Sequence, residues 1–265
     1  MPHTYATLRA DFDSLGIDPR GTVLIHSSMK AIGSVDGGAD TVLDVWMDAM
    51  RDGLLVLPTH TWRQIGVLDG QKDTFDPASE PPCVGILPTL FWKRPGVIRS
   101  LHPTHSVAAY GAEAEEFTRG EEHTRTPLPR DGCWGRLYDR DAAILFVGAS
   151  LKTNTLLHGA EEWAGVPNRL GDKPAALKIK MPDGATADCP QYRHYVPPQF
   201  RGVSDRYDKM EQPFLATGVA REGRFGDARC VWYNAKAGID LTMEFLRRDP
   251  DLFLKDEPVP EAWYS

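Results

Sequence analysis

Three short apolar runs constrain the fold of this chain more than any other feature. They occupy residues 23–25, 54–57 and 143–147, and each is followed by a polar or glycine-containing loop. Apolar runs of this length, bounded by turn residues, are typical of strands buried on both faces. Between the first two runs, apolar residues at helical spacing over 39–50 complete a β-α-β unit. The pattern predicts an α/β fold in which helices flank a central parallel or mixed sheet.

Further elements are predicted around this sheet. Helical spacing that stops at Gly16 indicates a helix over residues 5–15, and Asp183-Gly184 indicates a hairpin between 176–181 and 188–196. The other predicted elements are helices at 84–93, 112–118, 155–163, 204–212 and 234–247, strands at 106–109 and 228–233, a long loop at 63–82 and an extended tail at 257–265. Since no repeat or linker is visible, we expect a single domain over residues 1–265, with the hairpin as a C-terminal elaboration.

The composition narrows the class of protein. Lys and Arg number 30 against 37 Asp and Glu, so the net charge of −7 lacks the basic field of a nucleic-acid-binding protein. No apolar run approaches the roughly 20 residues of a membrane span, and the polar N-terminus does not resemble a secretory signal. The four cysteines are scattered, which predicts neither disulfides nor a thiolate zinc site. We therefore expect a cytoplasmic enzyme that acts on small molecules, with no nucleic-acid or membrane partner.

Three polar segments carry candidate functional side chains, placed where α/β proteins keep their sites. The first reads His26-Ser27-Ser28-Met29-Lys30-Ala31-Ile32-Gly33 and precedes Gly37-Gly38 and a helix. Its small residues, hydroxyls and free amides suit an anionic or thioester ligand. The segment matches neither a Walker A loop nor a dinucleotide fingerprint, and a turn with a helix cap is the alternative interpretation.

The second segment spans residues 99–106 and contains His102 and His105. Two histidines three residues apart suggest metal ligation, but Pro103 between them argues against one helix that presents both. A hydrogen-bonded loop with partly buried histidines is the preferred interpretation.

The third segment spans residues 154–162 and follows the apolar run at 143–147. On a helix, Glu161 and Glu162 lie three and four residues from His158, on the same face. A carboxylate beside an imidazole fixes its tautomer and raises its basicity, which makes His158 a candidate general base. A surface ion pair is the alternative, and the position after a buried strand favours the functional interpretation.

Together these segments resemble the aminoglycoside 3-N-acetyltransferase family, which transfers an acyl group from coenzyme A to an amine. The matching stretches lie in family order over residues 1–165 and include VLIHSSMKAIGSVDGG, GLLVLPTHTW, FDPASEP, RSLHPTHSVAAYG and AILFVGASLKTNTLLHGAEE. The resemblance implies the antibiotic N-acetyltransferase type of α/β fold, acetyl-CoA as co-substrate and no metal.

Carried over residue by residue, the resemblance implies that residues 26–33 line the channel for the pantetheine and thioester of coenzyme A. It implies that His158 is the catalytic base and that Glu161 orients it. The cofactor-binding residues implied in this way are His26, Ser27, Ser28, Met29, Lys30, Ile32, Arg99, Ser100 and Ser106.

The acceptor side is assigned to Asp76, Trp62, His105 and Glu162, with Asp76 at a position that the family uses in its amine-binding cleft. Residues 166–265 are expected to contribute to this side. Because aminoglycosides carry several ammonium groups, we expect carboxylates around the cleft. The candidates are Asp69, Asp73, Asp76 and Glu80 in one cluster and Asp205, Asp208 and Glu211 in another. At the positions where relatives have Ser-Pro, this chain has Cys133-Trp134. This departure places a bulky aromatic near the cleft, so a different amine stays open as the acceptor.

The expected reaction is direct acetyl transfer from acetyl-CoA to the 3-amino group of an aminoglycoside-like acceptor, an antibiotic-resistance activity. His158 takes the proton of the attacking amine, and backbone N–H groups, Ser27 or Ser106 stabilise the oxyanion. Three alternatives stay open: acyl transfer to a different amine in a biosynthetic pathway, a metal-dependent hydrolase that uses His102, His105 and His158, and a coenzyme A binder without activity. The aromatic tail also leaves a homodimer open.

Overall fold

The computed structural model describes residues 1–195 and 202–265, and the strands within them form two sheets. In chain order the strands are β1 (Thr22–Ser27), β2 (Leu54–Pro58), β3 (Thr74–Phe75), β4 (Ile98–Arg99), β5 (Val107–Gly111), β6 (Ala143–Val147), β7 (Lys178–Lys180), β8 (Thr186–Asp188), β9 (Ala220–Phe225) and β10 (Ala228–Asn234). The larger sheet has the order β4-β5-β2-β1-β6-β10-β9, and the smaller has the order β3-β7-β8.

The three apolar runs of the sequence form the centre of the larger sheet. β1 pairs in parallel with both β2 and β6, so that Val23 lies opposite Leu55 on one side and Ala143 on the other. Antiparallel strands extend the sheet in both directions, with β5 and β4 beyond β2, and β10 and β9 beyond β6. The predicted α/β fold with a mixed central sheet is confirmed.

Helices cover both faces of this sheet, which explains why its central strands are apolar without alternation. In chain order the helices are α1 (Tyr5–Leu15), α2 (Met29–Ile32), α3 (Gly38–Ala49), α4 (Ile86–Phe91), α5 (Ala114–Thr118), α6 (Cys133–Asp139), α7 (Thr155–Trp163), α8 (Glu211–Ala216) and α9 (Ala235–Arg248). Successive residues of β1 face opposite layers. Val23 and Ile25 pack in the cluster that contains residues of α1, α3 and α4, whereas Leu24 packs with residues of α5, α6, α7 and α9.

The smaller sheet is the part of the fold that the sequence analysis predicts least completely. Residues 63–82 are predicted as a loop throughout, but β3 lies within them and pairs in parallel with β7. The predicted hairpin is present, and β7 lies within the predicted 176–181, whereas β8 is closer to the Asp183-Gly184 turn than the predicted 188–196. The end of its predicted second strand, at Val196, lies outside the described residues. A two-residue strand carries no periodicity of its own, so only its distant partner reveals it.

Other differences have similar causes. β4, β9 and α6 are not among the elements predicted from the sequence. β9 is an edge strand in which only Ala220 and Phe225 at its ends are buried, so its charged middle shows no apolar alternation. The helix expected at 204–212 is a 3₁₀ helix over Val203–Met210 that continues into α8.

The C-terminal tail is less extended than predicted. Val259 is buried, residues Glu261–Trp263 form a 3₁₀ turn, and the Trp263 ring packs against Phe245 of α9 with centroids 5.5 Å apart. Arg248 lies over the same indole ring. These contacts anchor the tail to its own chain, and a homodimer stays a prediction. In the part of the chain that is described, no helix combines the length and the apolarity that a membrane span requires.

Candidate active site

An open cavity of about 650 Å³ lies at the carboxyl ends of the parallel strands. Its floor comes from the end of β1 with His26 and Ser27, the end of β2 with Pro58, and His60 just beyond. Residues 152–155, which follow β6, and His158 of α7 form one wall. Leu177, residues 191–194 and residues 202–204 from the C-terminal region close the other side. Such a crevice at the ends of parallel strands is where open α/β sheets bind ligands.

His158 reaches the cavity from the first turns of α7. Asn154, the residue before this helix, is buried and donates its amide to the Tyr233 hydroxyl at 2.8 Å, which ties the start of α7 to β10. The side chain of His158 is 23% exposed, and its Nδ1 lies 2.6 Å from the hydroxyl oxygen of Tyr207. The imidazole is therefore held from behind while part of it stays accessible.

Tyr207 lies between His158 and Glu161. The Tyr207 hydroxyl donates to Glu161 Oε2 at 2.6 Å, and since it has a single hydrogen, His158 Nδ1–H is the donor in the bond between the two rings. Burial, followed by the charge of Glu161, raises the pKa of Tyr207 well above its usual range, so the hydroxyl keeps its proton. This arrangement places the proton of neutral His158 on Nδ1 and leaves Nε2 as the acceptor.

Glu161 is 1% exposed and is held in its ionised form by its neighbours. Burial by itself would raise the pKa of Glu161, but His158, Arg169 and Tyr207 outweigh it and hold that pKa below its usual range. Arg169 donates from Nε to Glu161 Oε1 at 2.5 Å. The shortest distance between Glu161 and His158, from Oε2 to Nδ1, is 3.6 Å, which exceeds a hydrogen bond. The carboxylate therefore acts on the imidazole mainly through Tyr207.

Neither Tyr207 nor Arg169 is among the residues that the sequence analysis singles out. Tyr207 lies 49 positions from His158, in the 3₁₀ helix over Val203–Met210, and Arg169 follows α7. No spacing rule connects these positions, because the contact depends on how the C-terminal region packs on α7. The only local signal is an aromatic residue in a segment of charged ones.

Further histidines line the cavity beside His158. The ring of His194 stacks on His158 with centroids 4.2 Å apart, His105 meets His194 at 5.1 Å, and His60 meets His105 at 5.0 Å. Burial, with smaller contributions from neighbouring charges, holds the pKa values of His60, His105 and His194 well below the ordinary range. Burial also lowers the pKa of His26 to about 3. These imidazoles are neutral at pH 7 and act as hydrogen-bonding groups.

His102 belongs to the loop and does not line the cavity. Its Nδ1 accepts from the backbone N–H groups of Thr104 and His105, and its Nε2 donates to the carbonyl oxygen of Thr126. Because both ring nitrogens are occupied by backbone groups, His102 would have to give up these bonds to ligate a metal. This geometry agrees with the hydrogen-bonded loop and removes one ligand from the hydrolase alternative.

The residues expected to bind the cofactor divide into two groups. His26 and Ser27 line the cavity, whereas Ser28 caps α2 by accepting from the Ala31 N–H at 3.4 Å. Met29 and Ile32 pack into the apolar layer beneath. Lys30 is exposed on α2 and does not line the cavity either. The structure thus brings His26 and Ser27 to the cavity wall. The residues from Ser28 onward form the helix cap and helix that the alternative interpretation predicts.

Arg99, Ser100 and Ser106 lie behind the cavity wall. Arg99 donates to the carbonyl oxygens of Thr59 and Glu80 at 2.8 and 2.5 Å, and its Nε donates to the Ser106 hydroxyl. Ser106 in turn donates to the Thr59 carbonyl, and Ser100 accepts from the Val107 N–H. These bonds join β4, β5 and residues 77–80 to the end of β2. Since the Ser106 hydroxyl is fully buried and already bonded, it is not placed to contact an acyl group.

Among the residues assigned to the acceptor, Trp62 and His105 line the cavity. Trp62 is 42% exposed at its mouth. Asp76 lies outside it and pairs with Lys180 at 3.1 Å. Glu162 accepts from the Thr126 hydroxyl and from the Leu128 N–H at 3.3 Å, so it holds the loop after His123. The structure therefore brings two of these four side chains to the cavity.

Five of the seven carboxylates expected around the cleft lie within ion-pair distance of a cation of this chain. Glu80 pairs with Lys72 at 2.7 Å, and Asp73 lies 4.0 Å from Lys178. In the second cluster Asp208 lies 3.8 Å from Lys152, and Glu211 pairs with Arg229. None of the described Asp or Glu residues lines the 650 Å³ cavity.

Cys133 and Trp134 open α6 and are fully buried. The Trp134 ring stacks on His60 with centroids 5.6 Å apart, and its Nε1–H donates to the His105 carbonyl at 3.1 Å. The aromatic thus supports the histidines from below and does not enter the cleft itself.

The fold and this cavity define an α/β enzyme with a histidine at the edge of a parallel sheet. The chain belongs to the aminoglycoside 3-N-acetyltransferase family, whose model matches residues 24–247. Aminoglycoside N(3)-acetyltransferase IV from a Salmonella species is 32% identical over 247 residues, covering 91% of this chain and 86% of the relative. The predicted family and the prediction that the protein is an acetyltransferase-like enzyme are confirmed.

Solved structures have the same fold. Aminoglycoside acetyltransferase AAC(3)-IVa, solved as a histidine-to-alanine mutant in complex with a gentamicin, has a TM-score of 0.80 at 26% identity, covering all of this chain and 95% of that one. AAC-IIIb, solved as a binary with CoASH, has the same fold, with a TM-score of 0.80 at 24% identity over 98% of this chain and all of that one.

Proposed function

We propose that this protein transfers an acetyl group from acetyl-CoA to an amine of a small-molecule acceptor, by direct transfer with His158 as general base. The observation that carries the proposal is the hydrogen-bonded series His158–Tyr207–Glu161, which leaves Nε2 of a partly exposed imidazole free to accept a proton. The first acceptor class to consider is the 3-amino group of an aminoglycoside, since the relatives are named for that activity. Cytoplasmic location and a role in antibiotic resistance belong to the same proposal.

The cavity suits a ligand with polar groups along its length. His26 Nε2, His60 Nδ1 and His194 Nε2 are buried nitrogens without a hydrogen-bond partner among the described residues, and all three side chains line the cavity. Buried polar atoms are normally paired, so a bound ligand is the expected partner. Acetyl-CoA, when bound, supplies the acetyl thioester, and His26 and Ser27 are the cofactor-side residues on the wall.

In the proposed mechanism the chain supplies positioning and a proton acceptor. His158 Nε2 accepts the proton that the attacking amine loses, and the imidazolium formed keeps its Nδ1–H bond to Tyr207. Ionised Glu161 stabilises this positive charge through the hydrogen bond that it accepts from Tyr207. Its other carboxylate oxygen accepts a hydrogen bond from Arg169. The imidazolium then returns its proton to the sulfur of the leaving thiol. Of the hydroxyls considered for the developing oxyanion, Ser27 lines the cavity.

We also propose that residues 166–265 form the acceptor side of a single domain. Leu177, residues 191–194 and residues 202–204 cover the cavity opposite the strand ends, which supports this division of roles.

A second candidate function is acetylation of an amine that is not an aminoglycoside. The specific observation in its favour is that no described carboxylate lines the cavity, and that four of those expected to hold ammonium groups lie within ion-pair distance of lysines: Asp73, Asp76, Glu80 and Asp208.

The proposal is tested by following thiol release from acetyl-CoA with a panel of amines that includes gentamicin. His158→Ala is expected to lower kcat by about 100-fold or more, the usual contribution of a general base, while the circular dichroism spectrum stays unchanged. His123→Ala, which removes an exposed histidine outside the cavity, is the matched control. Wild-type turnover in His158→Ala would exclude the assigned base.

A further inference from the structure

The charge of the cavity wall is opposite to the charge of the chain as a whole. The net charge is −7, yet the charged side chains on the wall, within the described residues, are Arg63, Lys152 and Arg193. The histidines beside them are buried or half-buried, and burial keeps His26, His60, His105 and His194 uncharged. An ammonium group that entered this cavity would therefore meet cations and neutral rings, with no described carboxylate on the wall to balance its charge.

Two of these cations lack a carboxylate partner. Lys152 lies 3.8 Å from Asp208, but no described Asp or Glu lies within ion-pair distance of Arg63 or Arg193. Arg63 rests its guanidinium over the Trp62 ring, 5.1 Å from the centroid, which orients it at the cavity mouth without neutralising it. An unpaired guanidinium offers several donors in a planar arrangement that matches phosphate and carboxylate groups.

Arg193 is adjacent in sequence to a residue that contacts the proposed base. It directly precedes His194, whose ring stacks on His158 at 4.2 Å, and both Arg193 and His194 line the cavity. An anion held by Arg193 therefore lies in the same cavity as the base. The segment that carries Arg193 belongs to the proposed acceptor side.

The carboxylates of residues 63–82, the acidic loop, do not line the cavity beside these cations. Asp76 is paired with Lys180 and Glu80 with Lys72, so these two carboxylates have their own counter-charges. A polycation would have to displace these lysines and also approach Arg63, and like charges in a partly desolvated site disfavour binding.

From this charge distribution we propose, on the basis of the N-acetyl transfer proposed above, that the acceptor is a small primary amine that carries an anionic group. Arg63 and Arg193 bind the anionic group, a phosphate or a carboxylate, and the amine is directed toward His158 Nε2. The two arginines then act as specificity-determining residues, because they select the acceptor by its charge.

The experiment compares acceptors that differ in one group only, with an aminoglycoside beside them. Thiol release from acetyl-CoA is measured with 4-aminobutanol, 4-aminobutyrate, 4-aminobutyl phosphate and gentamicin, and binding of each to the protein is measured by calorimetry. One of the two anionic amines is expected to exceed the neutral amino alcohol in kcat/KM by about tenfold or more, and to exceed gentamicin as well. A phosphate preference and a carboxylate preference both agree with the proposal and identify the anionic group.

Two variants locate the effect. Arg193→Gln and Arg63→Gln are expected to raise KM for the anionic amine about tenfold and to abolish the preference for it over 4-aminobutanol, while KM for acetyl-CoA stays unchanged. Arg221→Gln, which removes an exposed arginine of β9 outside the cavity, is the matched control and should change neither KM. If the two cavity variants raise KM for acetyl-CoA instead, the arginines hold the phosphates of coenzyme A and the proposal is wrong.

Failure of this inference can be told apart from failure of the proposed reaction. If no amine releases thiol but the anionic amine binds more tightly than the neutral one, and Arg193→Gln abolishes the difference, the reaction is wrong and the charge selection stands. If gentamicin is the better substrate, or the anionic and neutral amines bind equally, the charge selection is wrong.

Discussion

Tyr207 decides how the proposed base is oriented. Its one hydroxyl hydrogen goes to Glu161 Oε2, so the hydroxyl oxygen can only accept from His158 Nδ1–H. If the imidazole were held only by its contact with Glu161, the ring would be freer to rotate, because that single long ion pair does not fix the orientation of the ring plane. The intervening phenol therefore fixes both the tautomer and the direction of Nε2.

Replacing Tyr207 with Phe tests this role. The substitution keeps the ring packed against Phe253 and His158 but removes the hydroxyl from both hydrogen bonds. We expect kcat to fall about tenfold with little change in KM for acetyl-CoA, since Glu161 still lies within 3.6 Å of the imidazole. Steady-state kinetics of Tyr207→Phe, Glu161→Gln and the double variant measure the effect, and the two losses should not add.

Tyr138→Phe is the matched control for that series. It removes a tyrosine-to-aspartate hydrogen bond of 2.7 Å, to Asp240, on the surface away from the cavity. Its kcat should equal that of the wild-type protein. Additive losses in the Tyr207 and Glu161 variants would contradict a shared path through the hydroxyl.

The smaller sheet is the element that joins the acidic loop to the acceptor side. β3 comes from the loop, β7 from the C-terminal region, and their apolar side chains form a small core that contains Ile65, Phe75, Leu177 and Ile179. Ile65 and Leu177 also line the cavity. The packing of this small core therefore sets the shape of one cavity wall.

Ile179→Ala is expected to loosen this wall. Ile179 is fully buried, and truncation of a buried isoleucine costs about 2–5 kcal/mol of the unfolding free energy of its unit. Because the small core is separate from the main one, the loss should appear locally, as faster amide exchange at 72–76 and 178–188 and a higher KM for the acceptor. Hydrogen exchange and steady-state kinetics provide the measurement.

Ile239→Ala in α9 makes the same truncation in the main core. It should lower the melting temperature of the whole protein without a selective change in exchange at the small sheet. If both variants gave the same exchange pattern, the small sheet would not be an independent unit.

These elements show what a local pattern reveals. The patterns that predict residues 143–147 and 155–163 match β6 and α7 residue for residue, because β6 is a continuous apolar run and α7 is long enough to show helical spacing. β3 and β4 have two residues each and exist only through pairing with distant strands. The candidate site divides in the same way. The candidate role of His158 can be predicted from the spacing within its own helix. That of Arg193 follows only from the position of its segment on the cavity wall.

The molecule as a whole is built to keep its buried histidines neutral. Burial lowers the pKa of His102 to about 4 and that of His26 to about 3, and it holds those of His60, His105 and His194 well below the ordinary range. A histidine with a lowered folded pKa binds fewer protons in the folded than in the unfolded state. Its stabilising contribution is therefore complete above the unfolded pKa of about 6.5 and is lost as the pH falls below it.

We expect the unfolding free energy to fall steeply between pH 6.5 and pH 5, by up to about 1.4 kcal/mol per pH unit for each such histidine. Glu121 opposes this trend, because burial raises its pKa to about 7 and the folded state binds its proton more tightly. Urea unfolding at pH 5.0, 6.0 and 7.5 measures the slope. A midpoint that stays constant over this range would contradict the neutral assignment.

The order of apolar runs and the position of His158 after the third run are enough to predict a mixed α/β sheet and a base at its edge, because both depend on neighbours within a few residues. The partner of that base, the pairing of the acidic loop with lysines and the basic character of the cavity depend on contacts between segments far apart in the chain. Side chains such as Tyr207 and Arg193 carry no periodic signal, since each serves a single long-range contact or faces a ligand. Only the packing of the C-terminal region onto α7 decides what surrounds the imidazole.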